Sequence, residues 1–192
     1  MADTIERARV HPLSAIVPIQ HDALALVPLP GATRLSLRIA QRDQSDIGTI
    51  AGLDLTRPIN TWGVGDGGTR TLRLGPDEWL VIADDTLAPA LIKALSDGLG
   101  ERCGAVIHVS HRYAAIEISG PTAADILNAG CLLDLDKKAF PTGAATRTLL
   151  AKAEIVLARL DDKPTYRIEV ARSFATYAWE LLEEAAREVT GA

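Results

Sequence analysis

Tyr113-Ala114-Ala115-Ile116-Glu117-Ile118-Ser119 sets Ala114, Ile116 and Ile118 on one side of an extended segment and runs straight into Gly120-Pro121. Such a stretch is a strand with one apolar face delivered into a helix start, since proline is tolerated at the first helical position, where its missing N–H costs nothing. Starting 79 positions earlier (113 − 34 = 79), Arg34-Leu35-Ser36-Leu37-Arg38-Ile39-Ala40 answers it, with Leu35, Leu37 and Ile39 on one face and Arg34, Ser36 and Arg38 on the other. Working outward, more pairs follow in the same order. Asp46-Ile47 matches Asp125-Ile126, and Leu53-Asp54-Leu55 matches Leu133-Asp134-Leu135. Thr69-Arg70-Thr71-Leu72 recurs as Thr146-Arg147-Thr148-Leu149, and Trp79, Val81 and Ala83 match Tyr166, Ile168 and Val170. Each match alone is weak; their shared order reads as one structural plan run twice.

In the first running, residues 46–52 form a short helical turn and a glycine-rich loop follows. Strands over 69–74 and 79–83 join through Gly75-Pro76-Asp77-Glu78, whose proline and aspartate suit a tight turn. A helix follows from a Thr86 cap to a Gly98 stop, then a buried strand over 103–109. In the second running, Gly120-Pro121 opens a helix that Gly130 closes, and strands follow over 146–151, 154–160 and 165–171. The last helix starts at Ser173 and carries Phe174, Tyr177, Ala178, Leu181 and Ala185 as its apolar stripe. The expectation is an α+β fold of two duplicated ferredoxin-like split β-α-β modules, 32–110 and 111–192, behind an extended arm over 1–31. Pro12, Pro18, Pro28 and Pro30 break up that arm, and its apolar content calls for packing on its own domain or on a neighbour.

Composition narrows the class. With 47% apolar and 23% charged residues in 192, the chain is globular and large enough to bury a core. A net charge of −5 argues against nucleic acid, because neutralising phosphates needs a basic face. Two cysteines without a CxxC spacing argue against a disulfide framework or a zinc site. Asp3 and Glu6 stand where a signal peptide carries basic residues, and no apolar run reaches membrane length, so the expected place is the cytoplasm.

The chemistry-bearing residues are few. Gly63, Gly65 and Gly68 satisfy GxGxxG, but a strand rather than a helix follows, so the dinucleotide mechanism lacks its helix N-terminus and the segment is expected to be a flexible loop. His108 and His111 flank Ser110, yet three positions apart on a strand they point to opposite faces. His11 and His21 lie in the arm without ligand spacing, and Cys131 fits a small buried hydrophobe. Asp134 and Asp136 sit in a polar loop and lack the burial that acid–base work needs. No catalytic or metal site is expected. Trp62 and Trp179 are the candidate interface residues, Trp179 because it falls off the stripe of the last helix.

Residues 111–121, then Ala124-Asp125-Ile126-Leu127-Asn128-Ala129-Gly130-Cys131, Leu133-Asp134-Leu135-Asp136, 146–154, 167–174 and, in the first half, Leu74-Gly75-Pro76-Asp77-Glu78-Trp79-Leu80, resemble the gamma subunit of heterotetrameric sarcosine oxidase, over about residues 30–190. The wider superfamily so resembled has the aminomethyltransferase (glycine-cleavage T-protein) folate-binding fold. Its folate-using enzymes carry a Gly-Gly turn and an acidic pair where this chain reads Ala151-Lys152-Ala153-Glu154, which leaves Glu154 as a weak folate candidate. The resemblance therefore implies a non-catalytic accessory subunit that binds no cofactor itself. Its implied partners are large flavin-bearing subunits with FAD, FMN and NAD, which oxidatively demethylate sarcosine and pass the methyl carbon to tetrahydrofolate. A free-standing folate-binding or aminomethyltransferase-like protein is the alternative.

Overall fold

Period-2 alternation in the central strands sends every second side chain to a helix-covered core and the others into the space between two sheets. The computed structural model describes residues 10–190. The start of the expected arm, including Asp3 and Glu6, and residues 191–192 lie outside them. The strands are β1 Ile19–His21, β2 Leu24–Leu29, β3 Thr33–Ile39, β4 Thr49–Ile50, β5 Leu53–Asp54, β6 Thr61–Val64, β7 Arg70–Arg73, β8 Glu78–Ala83, β9 Gly104–His108, β10 Tyr113–Ser119, β11 Ala145–Leu150, β12 Ala153–Arg159 and β13 Thr165–Ala171. The helices are α1 Ala88–Leu99, α2 Ala123–Asn128 and α3 Ala175–Thr190. No described helix is long and apolar enough to cross a membrane.

One sheet has the order β6-β7-β8-β3-β9 and the other β1-β2-β10-β13-β12-β11, so the plan is repeated in space: β3 answers β10, β8 answers β13, β7 answers β12 and β6 answers β11. In this frame β2, which precedes β3 in the chain, completes the other sheet beside β10, in the place that β9 holds beside β3. The two helical faces and the space between the sheets give three packed layers. Leu35, Leu37, Ile39, Trp79 and Val81 meet Leu95 and Leu99 of α1. Ala114, Ile116, Ile118, Ile168 and Val170 meet α2 and α3. Leu72, Leu80 and Ile82 of the first sheet pack on Ala145, Val156 and Ala158 of the second.

Gly120 sits at φ +116, which an L side chain rarely adopts, and a Cβ there would lie 2.5 Å from the Ala23 carbonyl oxygen. Thr122 donates its hydroxyl to that same carbonyl at 2.8 Å, so the strand-to-helix step is also the clamp that holds the end of β2.

Several local expectations are corrected. Thr69–Leu72 leads into β7 while Thr146–Leu149 lies in β11, and these are not equivalent strands, so that four-letter identity is coincidence. The 46–52 helical turn is replaced by a 3-10 turn at Gln41–Asp43 and by the small β4–β5 hairpin, turned through Ala51 at φ +51 and Gly52 at φ +74. The expected flexible glycine loop is largely a hairpin: Thr61–Val64 pairs with β7, and a 3-10 turn at Asp66–Gly68 closes it. Asp84, not Thr86, caps the first helical turn, accepting from the Thr86 N–H at 3.0 Å and from its hydroxyl at 2.6 Å. The helix runs past Gly98 to Leu99 and ends on Gly100 at φ +56. The α2 helix begins at Ala123, after the Gly120-Pro121-Thr122 turn. The strand expected to be buried over 103–109 is an exposed sheet edge.

The stripe of the last helix is turned by one residue. Ala175, Ala178, Trp179, Leu182 and Ala186 are the core side chains, Tyr177, Leu181 and Ala185 flank them, and Phe174 is exposed. Three small alanines, Ala175, Ala178 and Ala186, share that face with the large indole.

Candidate functional site

Between the sheets, beside that apolar contact, several strand positions opposite the helix-facing residues hold charge. Arg34 of β3 donates Nε–H to Glu169 Oε2 of β13 at 2.5 Å, and Arg167 donates Nε–H to the other oxygen at 2.7 Å. Arg34 and Glu169 are each 1% exposed. Arg70 of β7 lies near this group: burial, and then the Arg167 guanidinium, lower its pKa, while Glu117 and Glu169 oppose them. Two guanidiniums thus share one deeply buried carboxylate, and a third lies close enough to feel its charge. Such a group is costly to desolvate and is held by its mutual pairing.

Toward one end the interlayer opens into a cleft of about 350 Å³ lined by Arg38, Glu78, Ile107, Val109, Arg112, Tyr113, Arg147 and Glu154, among others. Glu78 organises it. Its carboxylate accepts two bonds from Arg147, from Nη1 at 3.1 Å and Nη2 at 2.7 Å, and lies 3.0 Å from Arg38 Nη2. The Arg147 hydrogen bonds hold Glu78 below the usual carboxylate range against the opposing effect of burial, helped by the charges of Arg147, Arg38 and Arg112. Glu78 in turn raises the pKa of Arg147. The fork-on-carboxylate geometry favours arginine over lysine here, because two parallel bonds fix direction as well as charge.

The residues singled out from sequence are distributed as follows. Glu154 stands at the rim of this cleft, 60% exposed, with Arg147 Nε at 3.6 Å. Trp62 is half-buried, donates its indole N–H to the Arg159 carbonyl at 2.8 Å, and lines a second cavity of about 500 Å³ with Arg57, Asn60, Phe140 and Thr146. Trp179 is 1% exposed. Within this chain it is a core residue, without the exposed face that an interface anchor needs. His108, Ser110 and His111 do converge, because Ser110–Arg112 is a 3-10 turn and not extended strand. His108 Nε2 lies 2.6 Å from Ser110 Oγ and the two imidazoles are 6.4 Å apart. Ser110 is buried and its oxygen accepts the Arg34 N–H at 2.8 Å, so its hydroxyl serves the end of β3. Asp134 and Asp136 are exposed turn formers, each accepting the N–H two residues on. His11 and His21 accept the N–H of Leu13 and Ala23. Cys131 is buried. Among the described residues no three His, Cys, Asp or Glu side chains are grouped to hold a metal. Glu78, Arg38, Arg147, Arg34 and Glu169 escaped the sequence reading. For Arg34, Arg38 and Glu169 the one signal was polar residues on every second position of strands whose other face is apolar; Glu78 and Arg147 had none.

The model of the sarcosine oxidase, gamma subunit family matches residues 45–188. The chain belongs to this family. Among curated gamma subunits, that of Corynebacterium sp. (strain U-96) is 29% identical over 172 residues, covering 88% of this chain and 82% of that protein. The sarcosine oxidase subunit gamma of Arthrobacter sp. is 32% identical over 146 residues, covering 75% and 71%. Among solved structures, a chain of the heterotetrameric sarcosine oxidase from Corynebacterium sp. U-96, in complex with pyrrole 2-carboxylate, superposes with a TM-score of 0.81 at 26% identity, covering 96% of this chain and 97% of that one. The glycine cleavage system aminomethyltransferase T from Bartonella henselae shares the fold, with a TM-score of 0.65 at 14% identity over 84% of this chain and 46% of that one. The gamma-subunit family therefore has the α+β fold expected from the doubled strand pattern, with the relation to the aminomethyltransferase fold expected from the resemblance.

Proposed function

We propose that this gamma-subunit family member is an accessory subunit, without an active site of its own, of a sarcosine-oxidase-type heterotetramer. Its partners are large subunits that bind FAD, FMN and NAD, oxidise an N-methyl amine of the sarcosine class and hand the methyl carbon to tetrahydrofolate. The end-to-end likeness to a chain of heterotetrameric sarcosine oxidase carries the reading. The site geometry supports it: the arginines and glutamates between the sheets are engaged with one another across the seam, as a scaffold requires. Trp62, half-buried in the lining of its cavity, is proposed as a contact with a large subunit. Co-expression with the large subunits of a sarcosine-oxidase-type complex tests this. One complex with flavin absorbance is expected, and the gamma chain purified alone has none. A chain that stays monomeric beside those subunits overturns the reading. The free-standing folate protein is distinguished by titrating the isolated chain with tetrahydrofolate. Unchanged tryptophan emission is expected, because Glu154 is largely solvated.

A further inference from the structure

The β9 strand is held from one side only. Its register on β3 runs from Leu35↔His108 to Ile39↔Gly104, and the ladder continues with the Val109 N–H on the Arg34 carbonyl at 2.8 Å and the Ala40 N–H on the Cys103 carbonyl at 2.9 Å. In an antiparallel ladder the backbone groups of successive residues face opposite sides. Ala105 and Ile107 therefore turn theirs to β3, and Gly104, Val106 and His108 turn theirs outward, where no described strand meets them. The counterpart strand β2 has its outer side covered by β1, through Ile19↔Leu26 to His21↔Leu24. Sheet edges left to solvent usually carry lysine, proline or a bulge that blocks pairing. Gly104-Ala105-Val106-Ile107-His108 carries neither lysine nor proline, and Ile107 is 52% exposed.

The same strand borders the charged cleft through Ile107. There Glu78 is shared between Arg38 and Arg147, while Arg112 makes no ion pair among the described residues and rests on the Tyr113 ring at 5.4 Å. The lining holds three guanidiniums, Arg38, Arg112 and Arg147, against two carboxylates, Glu78 and Glu154. That is a local positive excess on a chain of net charge −5.

We propose that β9 is a docking edge for an extended acidic segment of a partner polypeptide, which adds as a further strand along Gly104–His108 and places a carboxylate against Arg112 in the cleft. This rests on reading the chain as a subunit of a complex. Backbone pairing supplies the affinity of such strand addition, and the charge at the cleft supplies its selectivity. A second copy of this chain fits less well, since Gly104–His108 itself holds no carboxylate.

Hydrogen–deuterium exchange on the co-expressed complex and on the free full chain tests the pairing. The Val106 and His108 amides are expected to slow about tenfold or more on assembly, while the Ile107 amide, already bonded to β3, changes little. In parallel, Arg112→Glu is expected to weaken assembly about tenfold or more, on the scale of close interfacial charge pairs, and Arg112→Lys to retain most of it. The melting temperature of each free variant serves as the folding control. A complex that forms with Val106 and His108 exchanging as fast as in the free chain overturns the proposal and leaves the subunit reading intact. Arg112→Glu assembling as tightly as the wild type also overturns it, as does protection of the same amides by self-association of the free chain. If no complex forms, the subunit reading falls and this proposal with it.

Discussion

Arg34 and Glu169 lie 135 positions apart in the chain and meet at 2.5 Å between the two sheets, each almost sealed from solvent. The pair fixes how the halves of the molecule sit on each other, because β3 and β13 are central strands of different sheets. Removing one partner leaves the other buried and uncompensated, at a cost of about 3–5 kcal/mol. Glu169→Leu is therefore expected to lower unfolding free energy in urea by that amount, and Arg34→Met with Glu169→Leu is expected to be less destabilised than Glu169→Leu alone. Equal loss in both variants would show that packing, not charge, dominates at this point.

Glu78 makes assembly of the halves sensitive to acid. Its folded-state pKa lies below its ordinary value, first because of the hydrogen bonds from Arg147. A depressed carboxylate stabilises the fold at pH values above its unfolded pKa, and that contribution disappears as pH falls through the folded one. The melting temperature of the wild type should therefore fall more steeply than that of Glu78→Gln once pH drops below the ordinary glutamate value of 4.5. Parallel curves would remove Glu78 from the acid response.

The two tryptophans should separate cleanly. Trp179→Ala empties a core site and is expected to cost about 3–5 kcal/mol. Trp62→Phe gives up the indole bond to the Arg159 carbonyl but keeps an aromatic ring, for about 1 kcal/mol. Chemical denaturation of both variants checks the ranking, and a smaller loss for Trp179→Ala would contradict its burial.

Gly120→Ala brings a side chain to φ +116 and against the Ala23 carbonyl. A loss of more than about 1 kcal/mol is expected. Limited proteolysis should then cut first around β2, since the clamp on that strand is what the substitution disturbs.

How far the sequence revealed this fold depended on what each pattern encodes. Alternation in β3 and β10 showed which residues face a helix-covered core, and Trp79, Val81, Ile168 and Val170 are buried as that pattern requires. It could not tell what the polar faces meet. Arg34 and Glu169 look like solvated strand residues until a second sheet covers them, and that cover comes from more than a hundred positions away. Trp179 fell off the expected stripe because Phe174–Ala185 and Ala175–Ala186 are both acceptable helical stripes, and only the packing on the sheet selects between them. Over 103–109 the apolar run looked buried, since no local signal marks a strand as last in its sheet. Nothing in Glu78 alone pointed to Arg147, whose partner strand lies in the other module.

Because Leu24–Leu29 completes the sheet formed by β10 to β13, this protein cannot be finished in the order in which it is made. Leu26 is paired with Ile118, and during synthesis it waits for a partner strand still to be translated. The sheet around β3 closes earlier, from strands that lie between residues 33 and 108. A nascent chain therefore carries one finished half and one dangling apolar strand, the state most exposed to mispairing. Changes in Leu24, Leu26 or Gly120 should therefore be felt in quality control during translation as well as in final stability.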